Sequence, residues 1–309
     1  MLGMGMYMNK LDRVTAVYKR SDLIPFDDSS KFVLMSDCHR GDGSRSDNFL
    51  NNRNIFYSAL TQYYNHNYTY IELGDGDELW ENKRLSDIIQ IHKDVFGLMS
   101  RFHEDQRLYI LYGNHDMEKR NYKYLDRNIR RYHAQREQDD PSIFNSVKAH
   151  EGLVLQYKET NDRILLIHGH QVDTINSTLW RLSKFLVRYV WKPLETFGVN
   201  DPTSAAKNYK KKISVAKKLS EWVVKEKHLL IAGHNHRPSF PDIGQIPYFN
   251  DGSCIHPNAI TAIEICDGSI CLVKWSEKVR NDGTLYIARD ILGGPNKLKN
   301  YFDWFNKMP

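Results

Sequence analysis

RLYILYGNHD, residues 107–116, decides how this chain is read. Arg107 to Tyr112 is short and rich in apolar and aromatic side chains, which is the content of a buried strand. It ends at Gly113, and an amide, an imidazole and a carboxylate follow at once: Asn114, His115 and Asp116. Four other stretches repeat the pattern. Lys31 to Ser36 (KFVLMS) leads into Asp37-Cys38-His39, and Tyr68 to Leu73 (YTYIEL) leads into Gly74-Asp75-Gly76-Asp77-Glu78. Arg163 to Ile167 (RILLI) leads into His168-Gly169-His170, and His228 to Ala232 (HLLIA) into Gly233-His234-Asn235-His236. In an open α/β sheet, ligands gather at the carboxyl ends of the strands. Five strand ends therefore deliver acids, imidazoles and an amide to one rim.

Outward from these runs, the pattern alternates strand with helix. Asp47 to Asn65 is a helical candidate capped by Ser46 or Asp47. Leu85 to His103 is a second, because Ile88, Ile91, Val95, Met99 and Phe102 recur at spacings of three and four. Glu151 to Tyr157 and the fourth run flank a hairpin turn at Lys158 to Asp162. Ala259 to Cys266 and Ser269 to Trp275 surround Asp267-Gly268, a strong hairpin signal. The expected fold class is α/β, with a sheet flanked by helices and a partly antiparallel later portion. Residues 1–309 read as one domain. A helical insertion at about 171–227 interrupts it, with Ile175 to Val190 as one helix, Pro193 as its end, and Ala205 to Lys225 as another. Nothing regular is legible beyond Arg280.

Composition excludes some classes. With 41% hydrophobic and 12% aromatic residues, the chain has the content of a packed globular protein, not a disordered one. A formal charge of +5 suits an anionic substrate but gives no strong nucleic-acid signal. Cys38, Cys254, Cys266 and Cys271 form no CxxC pair, so reduced thiols are expected. The N-terminal apolar run is too short for a signal peptide, and no stretch has the length of a membrane span. A cytoplasmic location is the expectation. The insertion adds a possible peripheral membrane contact: Trp180, Leu182, Phe185, Leu186, Val190 and Trp191 share a helix with Arg181, Lys184, Arg188 and Lys192.

The residue types point to metal chemistry. A carboxylate can bridge two divalent cations, while imidazole nitrogen and carbonyl or carboxylate oxygen suit manganese, iron or zinc. Each motif alone is weak. DxH or HGH occurs in satisfied cores, and GD by itself carries nothing. GNHD and GHNH are stronger, and the ordered set leaves little room for chance.

That ordered set, D-x-H, G-D, G-N-H-D, H and G-H-x-H, resembles the calcineurin-like metallophosphoesterases over residues 31 to 275. The resemblance implies a four-layer αββα sandwich of two mixed sheets, with two divalent metal ions at the strand ends. It implies Asp37, His39, Asp75 and His236 as ligands of one ion. Asp75, shared, would hold the second with Asn114, His168 and His234. His115 would sit over the phosphate as general acid or charge stabiliser, oriented by Asp116. It implies hydrolysis of phosphate esters or anhydrides, with metal-activated hydroxide attacking phosphorus. Arg40 and Arg237 follow ligand motifs and could contact the phosphate, the alternative being surface or structural arginines.

Within the family, Glu78-Leu79-Trp80 and the helical insertion are similar to the UDP-2,3-diacylglucosamine pyrophosphohydrolases. Two positions depart from that branch: His115 stands where those enzymes have arginine, and His170 where they have aspartate. The expected substrate is a phosphorylated small molecule, lipid-linked or nucleotide-linked. A nuclease or protein phosphatase of the same chemistry is the alternative, as is a non-catalytic metal-binding scaffold. His170 reads as support for the ligands. Met117 to Gln138 reads as a solvated basic helix and Asn250 to Ser253 as structural.

Overall fold

The computed structural model describes residues 9–140, 142–144, 146–173 and 209–308. Twelve strands among the described residues form two sheets. The five-stranded sheet runs β1 (Asp22–Phe26), β6 (Gly152–Tyr157), β7 (Arg163–Ile167), β8 (Leu229–Ala232), β9 (Tyr248–Asn250). The seven-stranded sheet runs β12 (Leu285–Lys297), β11 (Ser269–Val279), β10 (Ala259–Cys266), β2 (Phe32–Met35), β3 (Thr69–Leu73), β4 (Leu108–Leu111), β5 (Ala149–His150). Both sheets are mixed. β2, β3, β4 and β5 pair parallel, as do β7, β8 and β9, while β6–β7 and β10–β11 are the antiparallel hairpins expected from their turns.

Strand periodicity shows the layering. In β2, Phe32 and Leu34 enter the core shared with the five-stranded sheet, and Val33 and Met35 enter a second core. That second core is covered by α2 (Arg53–Asn65), α3 (Leu85–Ile91), α4 (Lys93–Glu104) and α5 (Tyr122–Gln135). Side chains two apart share a face of a strand, so a strand buried on both sides reads as continuously apolar. On the outer side, α1 (Lys10–Arg20) and α6 (Tyr209–Glu226) pack together against the five-stranded sheet. Trp222 donates its ring N–H to Thr15 Oγ1 at 3.0 Å across their contact. The result is helices, sheet, sheet, helices. A last helix, α7 (Leu298–Asn306), adds Tyr301, Phe302 and Phe305 to the shared core.

Some elements differ from expectation. The second helical candidate breaks into α3 and α4 at His92, whose ring lies 2.9 Å from an Asp47 carboxylate oxygen. Asp47 does not cap α2, which starts at Arg53. Its carboxylate accepts the N–H groups of Gly43 and Phe49 in the preceding turn. The described end of the expected insertion is not a rim element: Val215, Leu219, Trp222 and Val223 of α6 are buried in the main core. Residues 174–208, with the helix read at Ile175 to Val190 and its basic face, lie outside the described residues. Among the described residues no helix is long and apolar enough to cross a membrane.

Candidate metal centre

All five expected strand ends converge. Asp37 stands two residues beyond β2, Asp75 two beyond β3, Asn114 three beyond β4, His168 directly after β7 and His234 two beyond β8. Backbone bonds lace the loops together: Asp37 N–H to Gly74 O at 3.1 Å, His39 N–H to Asp75 O at 3.0 Å, and Gly233 N–H to His168 O at 3.0 Å. The glycines serve close approach as much as turning. A Cβ on Gly113 would fall 2.1 Å from Asp75 Oδ1, although only Gly74 and Gly169, among the glycines beside ligands, have positive φ. Five of the ligand candidates are left-handed without being glycine: Asp37 (φ 52), His39 (48), Asp75 (49), His234 (67) and His236 (50). Such backbone costs about 1–3 kcal/mol per residue and survives only where the surroundings impose it.

The donors are oriented so that one atom of each stays open. Asp37 Oδ2 accepts from Ser36 Oγ at 2.7 Å and from the His234 N–H at 2.8 Å, which leaves Oδ1. Asp75 Oδ1 accepts the His115 N–H at 2.8 Å, which leaves Oδ2. His168 Nδ1 faces the Leu73 carbonyl at 2.9 Å, so it carries a proton and Nε2 is the atom turned to the site, free to offer its lone pair to a cation. His39 Nδ1 lies 2.8 Å from Glu78 Oε2, with the same result. Asp37 Oδ1, Asn114 Oδ1, His168 Nε2 and His234 Nε2 are buried and make no well-formed hydrogen bond, and the close neighbours of Asp37 Oδ1 and His168 Nε2 are other ligand candidates, His236 Nε2 and Asp75 Oδ2. Buried polar atoms are rarely left so, and those of Asp37, His168 and His234 belong to groups of potential ligand atoms that outline a cation site.

The distances form two overlapping sets. Ligand atoms of Asp37, His39 and His236 lie within 4.8 Å of one another, and so do those of Asp75, His168 and His234. Asp75 Oδ2 is 3.1 Å from His168 Nε2 and 3.9 Å from His39 Nε2, so one carboxylate faces both sets. His236 Nε2 lies 3.0 Å from Asp37 Oδ1 and 3.3 Å from His39 Nε2. Oxygen and imidazole nitrogen donors, buried except for the half-buried His236 and without cysteine, fit divalent cations. Burial disfavours the charged forms of Asp37 and Asp75, yet the facing histidines hold both well below the usual carboxylate range.

His115 occupies the open side. With 23% of its side chain exposed, it is more accessible than His39 (7%) or His236 (13%). Its Nδ1 is 2.9 Å from Glu78 Oε1, and its ring stacks on Trp80 at 4.0 Å and 21°. Burial opposes its charge, but the Glu78 and Asp75 carboxylates outweigh that and raise its pKa. Glu78, despite burial, is held down to about 2 by His115 and His39. The expectation that Asp116 orients His115 is therefore corrected: Glu78 does so, touching a ligand candidate and His115 with one carboxylate.

The profile of the family described as calcineurin-like phosphoesterase matches residues 30–238. The chain belongs to that family. No curated protein matches it by sequence. Among solved structures it is similar to Vps29 of Chaetomium thermophilum, at 12% identity and a TM-score of 0.37, covering 86% of this chain and 96% of that one. It is similar too to the same Vps29 complexed with the RaPID-derived cyclic peptide RT-D3, at 12% identity and TM-score 0.34, covering 85% and 96%.

Behind the ligand loops lies a second cluster of acids. Glu72, Asp77 and Asp116 also bring ligand atoms within 4.8 Å of one another. Here the protein's own cations fill the space. Arg40 reaches Glu72 Oε2 at 2.8 Å and Asp77 Oδ1 at 2.7 Å, and Lys119 reaches Asp77 and Asp116 at 2.7 Å each. Arg40 is fully buried. The expectation that it contacts phosphate is corrected, because its guanidinium is enclosed on all sides. Lys119 likewise leaves the solvated basic run: only 4% of its side chain is exposed. Asp116 is a hub, accepting N–H groups from Gly113 at 2.7 Å and Gly76 at 3.1 Å, and so joins the loops that carry Asn114 and Asp75.

Three further residues, Asp173, Ser36 and Asp251, support the centre. Asp173 is buried with Oδ2 3.6 Å from His234 Nε2. Ser36 Oγ lies 2.7 Å from both Asp37 Oδ2 and Asp251 Oδ1. A hydroxyl has one proton, so the second short contact requires a proton on Asp251, whose pKa burial and the Asp37 charge push well up. Asn250 bonds the Gly233 carbonyl at 2.7 Å, the structural role read for that segment. His170 is buried beside His168, ring centroids 5.6 Å apart. Arg237 is exposed next to His236.

Proposed function

We propose that this protein is a two-metal-ion hydrolase of phosphate esters or anhydrides. The observation that carries the reading is the set of buried donor atoms that make no well-formed hydrogen bond, beside a carboxylate that faces both halves of the site. Asp37, His39, Asp75 and His236 would hold one cation, and Asp75, Asn114, His168 and His234 the other. When bound, such ions supply a water of lowered pKa and offset the phosphate's charge. The chain's own residues do the rest. His115, its Nδ1 fixed by Glu78 and its ring by Trp80, directs Nε2 at the substrate and donates a proton to the departing oxygen. Arg237, exposed next to His236, binds phosphate.

The substrate we infer is a phosphorylated small molecule that also carries a nucleotide or lipid part. A cavity of about 530 Å³ opens beside the ligand loop, lined by Arg237, Phe240, Ile246, Tyr248, Ile213 and Lys217. Its mixture of apolar walls and cations suits an amphipathic phosphoester. The test is hydrolysis in manganese, zinc or iron, with a chelator control. The panel is a nitrophenyl monoester, a nitrophenyl diester, a UDP-linked sugar, a lipid-linked pyrophosphate, a phosphopeptide and single-stranded DNA. Chelator-sensitive turnover of the UDP-linked or lipid-linked compound above the others is expected. Protein that binds no divalent ion and turns over none of them overturns the reading.

A further inference from the structure

The outer edge of the seven-stranded sheet is long and apolar. β12 pairs with β11 on one side only. Among the described residues, no backbone hydrogen bond beyond that ladder engages residues 285–296. Edge strands usually carry charges that discourage pairing. This one does not: Leu285 is 65% exposed, Tyr286 37%, Ile291 50% and Leu292 48%. Its three charged residues are turned to partners within the chain, Lys297 donating to the Asp267 carbonyl at 2.6 Å. Arg289 bonds Glu264 at 2.6 and 2.8 Å, and Asp290 takes Lys278 at 2.6 Å.

We propose that β12 pairs antiparallel with β12 of a second copy, joining two seven-stranded sheets across a two-fold axis at Ala288. Symmetry limits the registers. Residues directly opposite in an antiparallel pair point to the same face, so a two-fold must pass through a residue paired with its own copy. Centred on Ala288, Leu285 meets Ile291 of the other copy, Ile287 meets the stem of Arg289, and Tyr286 meets Asp290. The two most exposed apolar side chains of the strand are covered by each other, twice. The smallest side chain stands on the axis. Centring on Arg289 would set two guanidinium groups opposite each other and leave Leu285 against Gly293. Pro295, which has no N–H, ends the usable edge at its far side.

The test uses the whole chain. Sedimentation equilibrium of the wild type should show a reversible dimer. Leu285→Lys, at an exposed position, should keep its circular dichroism and weaken dimerisation about ten-fold or more by placing an unpaired charge on the interface. Leu285→Lys/Ile291→Glu should restore it, since each lysine then faces a glutamate. In a Cys266→Ser background, Ala288→Cys should form a disulfide-linked dimer under mild oxidation. Directly opposite Cα atoms lie about 4.5–5.5 Å apart, inside disulfide range. Tyr286→Cys should not, because its two copies are offset by four residues, about 14 Å. A wild type that is monomeric at every concentration, a dimer indifferent to Leu285→Lys, or Tyr286→Cys crosslinking as readily as Ala288→Cys overturns the proposal.

Discussion

Two clusters of buried carboxylates lie side by side in this protein, built partly from the same loops. Asp75 belongs to one and Asp77, two residues on, to the other. Around Asp75 the donors are histidines, an amide and a second aspartate, four donor atoms in that cluster make no well-formed hydrogen bond, and backbone is held left-handed. Around Asp77 the carboxylates are closed by Arg40 and Lys119. A group of three acids is thus no sign of a metal by itself. What distinguishes the open cluster is that its lone pairs are oriented by other hydrogen bonds and then left unused.

The difference can be broken from either side. Asp75→Asn should have the largest effect. It removes the charge facing both donor sets, so bound metal measured by elemental analysis should fall from two ions towards none and activity should vanish. Retention of both ions would mean that Asp37 Oδ1 is the shared oxygen. His115→Ala should keep both ions and lose about 10²- to 10⁴-fold in kcat on a poor leaving group. The loss should shrink on nitrophenyl esters, which need little protonation; an equal loss on both would assign His115 to phosphate binding.

The closed cluster should respond in stability. Lys119→Met leaves Asp77 and Asp116 buried beside a single arginine, which should cost about 3–5 kcal/mol in denaturant unfolding. Metal content should be unchanged wherever the protein remains folded. A stability loss below that of an ordinary surface substitution would show that Arg40 alone neutralises the group. The last effect is read in pH dependence, at Asp251→Asn. The fold raises the Asp251 pKa, so its contribution is present below the ordinary carboxylate range and declines as pH rises through the raised value. Asn needs no proton and keeps the contact to Ser36. In chelated protein the variant should gain on the wild type as pH rises from about 4 to 8, by at most about 1.4 kcal/mol per pH unit. A pH-independent difference in melting temperature would place the negative charge on Asp251 throughout.

The open cluster was legible in the sequence because each of its residues closes an apolar run, and periodicity locates such runs. The closed cluster was not. Arg40 and Lys119 look like surface cations, and only the packing that encloses them tells otherwise. Glu78 could be quoted from the second motif, but nothing in its spacing says that it reaches His39 and His115 at once. Two strands missed at sheet edges share a cause: β1 contains Pro25, and β12 contains Gly293, Gly294 and Pro295, residues that argue against a strand unless one side needs no partner. The break between α3 and α4 depends on a contact from His92 to Asp47, 45 residues away, which no local pattern carries.

The left-handed backbone at Asp37, His39, Asp75, His234 and His236 has a consequence for anyone selecting stable variants of this protein. Glycine adopts those angles freely, whereas an aspartate or histidine does so against its own Cβ. A screen scored on thermal tolerance in chelated protein should therefore enrich glycine at these positions, and each such clone would be more robust and inert. Here durability and chemistry are set against each other in the main chain itself, so stabilisation has to be sought elsewhere, in the helices on either flank.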